Sequence, residues 1–156
     1  MTIHFSPLPT TRVRALQNGD KDVYGNLPER RISDGDGNSC RHCLKNIPEG
    51  EPFIIVAYRP FETLQAYAET GPIFLCANPC TPAPETPALP ETLDEPDYIV
   101  RGYDSDERIV YGTGAVTPTP DIPAAAQRLY ETNDRVAFVH VRSSRNNCYQ
   151  CRIDKG

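Results

Sequence analysis

The sequence has no apolar run of roughly 18 residues, and this absence argues against a membrane-spanning helix. It also lacks an excess of basic residues, because its net charge is −5. Nucleic-acid binding usually needs a basic face, so we expect no nucleic-acid partner. Residues 1–9 lack the basic head and apolar stretch of a secretory signal, so we expect no leader and a cytoplasmic location.

Length and composition indicate the class of fold. The chain has 156 residues, which suits a single domain over residues 1–156. Hydrophobic residues make up only 38%, and there are 16 prolines. This balance favours short strands and long loops over a helical bundle. We therefore predict an α+β fold: a mainly antiparallel, meandering sheet with one main helix and long ordered loops.

Local patterns place the elements of that fold. Strands are predicted at 3–8, 53–58, 71–76, 98–103, 108–116, 135–142 and 148–153. One helix is predicted over residues 122–132, with Thr119 or Asp121 as its cap and Pro123 in its first turn. Residues 18–38 are turn-rich and are predicted to form an ordered loop. Residues 81–97 are rich in proline and acidic side chains, which predicts an exposed loop.

The six cysteines fall into three closely spaced pairs: Cys40 and Cys43, Cys76 and Cys80, Cys148 and Cys151. Disulfides are uncommon in the cytosol, so the pairs indicate metal ligands or reduced thiols. Two thiolates from one tight turn can reach a single zinc ion, and two such turns complete a tetrahedron. Buried reduced thiols acting as small hydrophobic groups are the alternative.

Strand pairing selects a ligand set. If strands 53–58 and 71–76 pair antiparallel, residue 76 returns beside residue 52. This brings the second cysteine pair next to the first. The predicted ligands of a structural zinc knuckle are therefore Cys40, Cys43, Cys76 and Cys80.

A competing set replaces the second pair with Cys148 and Cys151. In a regular strand these two residues point to opposite faces, which disfavours chelation of one ion. His42 lies between two cysteines and could itself replace a ligand. We predict instead that it is the exposed tip of the knuckle.

The C-terminal hairpin has a second group of candidate residues. Pairing Arg142 with Cys148 gives a core face of Ala137, Val139, Val141, Tyr149, Cys151 and Ile153. The opposite face then holds Phe138, His140, Arg142, Cys148, Gln150 and Arg152. This polar face is either solvated or part of a shallow anion-binding pocket formed by His140, Arg142 and Arg145, because arginine suits planar anions. A nucleophilic Cys148 activated by His140 is the catalytic alternative.

Several segments together resemble a known family. They are CRHCL (40–44), AYRPF (57–61), YAETGPIF (67–74), RIVYGTG (108–114) and HVRSSRNNCYQCRI (140–153). They are similar to a bacterial family catalogued as domain of unknown function 1203. The resemblance implies no activity.

Taken together, these features favour a zinc-stabilised binding module without catalytic activity. Its expected partner is a small anionic molecule or a protein. The alternatives are a cysteine-dependent enzyme using Cys148 with His140, and a thiol redox or metal sensor.

Overall fold

The computed structural model describes all residues from 1 to 156 and contains eight strands and two helices. The strands are β1 (Ile3–Ser6), β2 (Glu29–Ile32), β3 (Pro52–Tyr58), β4 (Gly71–Cys76), β5 (Asp97–Tyr103), β6 (Ala115–Pro118), β7 (Phe138–Ser143) and β8 (Tyr149–Lys155). The helices are α1 (Thr10–Gln17) and α2 (Ile122–Thr132), the latter preceded by a 3-10 turn at Thr119–Asp121. Every strand pair is antiparallel, so the predicted α+β class is confirmed.

The strands form two sheets. One has five strands in the order β1-β8-β7-β5-β6, and the other has three in the order β2-β3-β4. Helix α2 covers the larger sheet with Ile122, Ala126 and Tyr130, which are four residues apart and buried on one face. The Tyr130 hydroxyl donates a hydrogen bond of 2.8 Å to the Ile153 carbonyl, which ties α2 to β8.

Helix α2 has the predicted bounds, 122–132, but it lacks the predicted side-chain cap at its start. Asp121 makes no side-chain capping hydrogen bond, and Pro123 lies near the first turn as expected. Helix α1 received no assignment from sequence. It packs Val13 and Leu16, three residues apart, into the core of the smaller sheet. Neither helix is long and apolar enough to cross a membrane.

Some loop and strand boundaries differ from the sequence-based expectation. The predicted loop at 18–38 includes β2, which pairs with β3. The predicted strand at 108–116 is mostly irregular: Ile109 forms an isolated bridge with Tyr103, and β6 begins only at Ala115. Residues 81–97 contain almost no regular structure, although Thr92 and Leu93 are buried within them.

A β-bulge alters the C-terminal hairpin. Val141 pairs with Cys151 while Arg142 pairs with Tyr149, so one extra residue lies on β8. The predicted pairing of Arg142 with Cys148 is therefore wrong. Because a shift of one residue reverses the faces of a strand, Tyr149 joins the side that holds His140 and Arg142.

Burial of Leu75, on edge strand β4 of the smaller sheet, gives a test of this core. Leu75 is 0% exposed, and Leu64 is 78% exposed. We expect Leu75→Ala to lower the free energy of unfolding by about 2–5 kcal/mol through lost apolar contact and a residual cavity. Leu64→Ala is the matched control and should change it by less than about 0.5 kcal/mol. Urea denaturation measures both, and equal effects would contradict this core assignment.

Candidate metal centre

The first cysteine pair lies on a tight turn with its own hydrogen bonds. The Cys40 amide donates to the Lys45 carbonyl (3.0 Å), and the Leu44 amide donates to the Cys40 carbonyl (3.0 Å). Leu44 has a φ of 52°, in the left-handed region that few side chains adopt. This conformation turns the chain back, so that Cys40 and Cys43 lie close together.

Strand β4 brings the second pair to this turn. Phe53 is paired with Cys76 at the end of β4, one residue from the predicted register. The Arg41 amide donates to the Phe74 carbonyl (3.1 Å), which holds the turn against β4. Cys80 follows in the loop after the strand.

The four sulfur atoms of Cys40, Cys43, Cys76 and Cys80 all lie within 4.8 Å of one another. The Sγ atoms of Cys40 and Cys80 are 3.9 Å apart, as are those of Cys43 and Cys76. A tetrahedral ion with metal–sulfur bonds of about 2.3 Å separates its sulfurs by about 3.8 Å. No disulfide is formed. These four residues, the set favoured from sequence, could therefore hold a metal ion.

Cys40 is the thiol of the cluster that ionises most readily. Hydrogen bonds, first from the Cys43 thiol, hold the pKa of Cys40 well below its usual range. Amide groups of His42 (3.4 Å) and Cys76 (3.3 Å) also point at the Cys40 sulfur. The pKa values of Cys43, Cys76 and Cys80 are raised, chiefly because their thiols interact with ionised Cys40. The Cys40 thiolate thus accepts hydrogen bonds from the other three thiols, and a bound cation would displace their protons.

His42 is not the exposed tip that the sequence suggested, because its side chain is fully buried. Its Nδ1 atom lies 3.1 Å from the Cys80 sulfur, and its Nε2 atom lies 2.8 Å from the Thr10 hydroxyl. Burial lowers the pKa of His42 below its ordinary value, so the ring is neutral at pH 7. The buried His42 ring therefore contacts Cys80 and holds its sulfur in position.

Helix α1 supplies contacts that sequence analysis missed. Arg14 donates to the Cys80 carbonyl (2.6 Å), and Gln17 donates to the carbonyls of Cys76 (2.9 Å) and Asn78 (3.0 Å). These bonds hold the loop that contains the second cysteine pair. The apolar spacing of Val13 and Leu16 was the only signal for this helix.

Arg41 connects the cysteine turn to the larger sheet. It is 6% exposed, and its Nε atom donates to the Tyr149 carbonyl (2.8 Å) on β8. Its other hydrogen bonds go to the carbonyl and hydroxyl oxygens of Ser39. All three acceptors are neutral, so the Arg41 charge is free to offset negative charge on the nearby sulfurs.

The third cysteine pair is outside the cluster, so the competing ligand set is not formed. Cys151 is 2% exposed within the apolar core of the larger sheet. Burial raises its pKa to about 12, which makes it an inert thiol. Cys148 is half-buried, and its thiol donates only to the Asn146 carbonyl (3.6 Å).

The hairpin face that was expected to be polar is buried. Phe138, His140 and Arg142 are each less than 5% exposed, whereas Ala137, assigned to the core from sequence, is exposed. The four rings around His140 have centroids 4.9–5.1 Å from it and belong to Phe61, Tyr103, Phe138 and Tyr149. No hydrogen bond joins His140 to Cys148, so the nucleophilic pair is not assembled.

The three proposed anion-binding residues do not converge. Arg145 is half exposed and pairs with Glu95 (3.4 Å) and Asp97 (3.9 Å). Arg142 lies inside the protein, where it pairs with Glu69 (2.6 Å). The two arginines therefore do not form the expected shallow pocket. His140 and Arg142 do lie on one face of the hairpin.

The two remaining cysteines provide a test of this arrangement. Cys151→Ser places a hydroxyl in an apolar site and should lower the free energy of unfolding by about 1–3 kcal/mol. Cys148→Ser should cost less, because the Cys148 sulfur is half-buried and already faces a polar atom. Urea denaturation of both variants measures the difference. A larger loss for Cys148→Ser would contradict the assigned environments.

Comparison with family models gives one finding. Residues 37–155, which include all six cysteines, match the model described as "Protein of unknown function (DUF1203)". Neither a curated protein nor a solved structure matches the chain.

Proposed function

The chain belongs to the DUF1203 family, and we propose from its cysteine cluster that it is a zinc-stabilised binding module. The single observation that carries the proposal is the approach of four sulfurs to within 4.8 Å. Thiols have little mutual attraction, and one ionised thiolate raises the pKa of its neighbours. A bound cation explains why the chain gathers them.

The number of ligands favours a structural role for the ion. Structural zinc sites are closed by four protein ligands, whereas catalytic sites keep a position open for water or substrate. The four-cysteine cluster supplies four thiolates and leaves no such position. Zinc is preferred among common metals because thiolates are soft ligands and a tetrahedron of four sulfurs is its usual structural geometry.

The charge of the site is also compatible with zinc. A zinc ion with four thiolates is a net anion, which is costly in a protein interior unless its charge is offset. The Arg41 guanidinium interacts favourably with Cys148 and Cys151 and, more weakly, with Cys40 of the cluster. Amide groups of His42 and Cys76 add further donors at Cys40.

The proposed ion joins segments that are distant in sequence. It would connect the turn at 40–43, the end of β4 and the loop at Cys80, with α1 packed behind them. Only the end of β4 belongs to a sheet, whereas the turn and the loop are irregular segments. Metal binding would therefore contribute directly to folding of this half of the molecule.

A thiol redox or metal sensor is the second candidate. Cys43, Cys76 and Cys80 are half-buried rather than enclosed, so an oxidant can reach their sulfurs. Cys43 and Cys76 would cross-link before Cys40 and Cys80 after metal loss, because both pairs have sulfurs 3.9 Å apart but Cys40 is buried. Catalysis by Cys148 has no comparable support, because His140 is not hydrogen bonded to it. The small anionic or protein partner and the cytoplasmic location stay predictions.

The proposal predicts one zinc ion per chain. We expect chelation to lower the melting temperature, because the ion stabilises only the folded chain. Cys43→Ser and Cys80→Ser should lose the metal, since three thiolates hold zinc far less well. Elemental analysis and thermal denaturation measure these effects.

Cys148→Ser and Cys151→Ser are the matched controls and should keep one zinc each. A chelated protein that melts no lower than the untreated protein would contradict the structural role. Loss of zinc from the Cys148 variant, with retention in the Cys80 variant, would instead support the competing ligand set.

His42 gives a finer test of the site. A zinc-bound thiolate at Cys80 can only accept a hydrogen bond, so Nδ1 of His42 would donate to it while Nε2 accepts from Thr10. We expect His42→Ala to weaken zinc affinity roughly 10- to 100-fold, the usual effect of removing such support. A competition titration with a chromogenic chelator measures the affinity. His4→Ala is the control, because the His4 ring pairs with Glu85 (3.6 Å) and with no cysteine, and its affinity should be unchanged.

A further inference from the structure

A cleft of about 670 Å³ lies beside β7 and β8, outside the cysteine cluster. Its size falls within the range of small-molecule sites. Its walls include His140, Tyr149 and Phe61, together with Tyr58 and Arg59 from the end of the smaller sheet. A second cavity, of about 170 Å³, adjoins it and shares Tyr58 and Tyr149 as lining residues.

Two buried nitrogen atoms on these walls have no hydrogen-bond partner. They are Nδ1 of His140, which lines the larger cleft, and Nε of Arg142, which lines the smaller cavity. Their residues are 1% and 4% exposed. Buried polar atoms are almost always hydrogen bonded, so two unpaired ones along a single strand face indicate a missing partner. That partner is either a bound molecule or water.

The lining of the cleft carries charges of both signs, and Arg59 differs from the other charged side chains in its lack of an ionic partner. The guanidinium of Arg59 makes one hydrogen bond, to the Phe61 carbonyl (3.3 Å), and no ion pair. At the adjoining smaller cavity, Arg142 shares the carboxylate of Glu69 with Arg101, so two guanidinium groups face one carboxylate there. Four carboxylates also line the cleft: Glu62 and Glu85 are exposed, Asp154 is bonded to Arg152 (2.7 Å), and Glu107 accepts the amides of residues 62 and 63. Arg59 is therefore the one basic side chain of the lining without a carboxylate partner, and an anionic group would bind there.

Part of the lining is aromatic. Phe61, Phe138 and Tyr149 all line the larger cleft, and Tyr58 stands at the boundary with the smaller cavity. Aromatic faces bind planar apolar groups well, and tyrosine hydroxyls at the boundary can donate to an oxygen. Burial raises the pKa of Tyr58 and Tyr149, so both hydroxyls are protonated donors at pH 7.

We propose that this cleft binds a small aromatic carboxylate, with the carboxylate at Arg59 and the ring against Tyr149 and Phe61. His140, whose Nδ1 has no hydrogen-bond partner, also lines this cleft. This site is separate from the cysteine cluster, so the metal content and ligand binding are independent measurements. A protein without zinc would not contradict ligand binding, and a protein without ligand binding would not contradict the metal site.

Titration of the purified protein, whose metal content is measured separately, with sodium benzoate tests the proposal. Isothermal calorimetry or amide chemical shifts should show saturable binding to one site. Benzamide, which has the same ring without the charge, should bind at least roughly tenfold more weakly, because a hydrogen bond to a charged group is lost. Inorganic phosphate should not compete at equal concentration, since it lacks the ring.

Two variants locate the site. Arg59→Gln should weaken benzoate binding roughly tenfold or more, whereas Arg30→Gln, at an exposed position on β2, should leave it unchanged. Tyr149→Phe keeps the ring and should change affinity less than Arg59→Gln. Absence of saturable binding, or equal binding by the Arg59 and Arg30 variants, overturns the proposal. Equal competition by phosphate overturns its aromatic part and leaves only a general anion site.

Discussion

The antiparallel pairing of β3 with β4 is the constraint on which the cysteine cluster depends. It places Cys76 opposite Phe53, and so returns the chain to the turn that holds Cys40 and Cys43. The bond from the Arg41 amide to the Phe74 carbonyl then fixes the distance between that turn and β4. Four thiols do not assemble by attraction for one another. The backbone must bring them together before a metal can stabilise the arrangement.

The two halves of the molecule are joined by a few specific contacts. Arg41 reaches from the cysteine turn to the Tyr149 carbonyl, and the Tyr149 ring packs with the core of the smaller sheet while its backbone belongs to β8. The β-bulge makes this possible, because the extra residue moves Tyr149 to the side of Arg142. Without the bulge the ring would point into the other core. The same irregularity thus links the sheets and forms one wall of the cleft.

The sequence predicted much of the fold and the grouping of the cysteines, for identifiable physical reasons. The helix at 122–132 has a clear apolar face, and strands 53–58 and 71–76 are continuous apolar runs. The contacts around the cysteines were harder to predict from the sequence. Helix α1 is only eight residues long and has no capping side chain, so its contacts to the second cysteine pair left almost no pattern. His42 was predicted to lie on the surface, because nothing in CRHCL shows that its ring contacts the Thr10 hydroxyl or that its carbonyl accepts the Ala83 amide.

The abundance of arginine illustrates the limit of composition as evidence for ligand binding. All but three of the 16 basic residues are arginine, which suggested recognition of an external anion. Several of these side chains are instead used inside the protein. Arg101 and Arg142 hold the two oxygens of Glu69, and Arg41 joins Ser39 to Tyr149. A planar group with five donors can tie irregular segments together where short strands cannot. In a proline-rich chain with small sheets, an arginine is thus informative about ligands only where, as at Arg59, no internal carboxylate pairs with it.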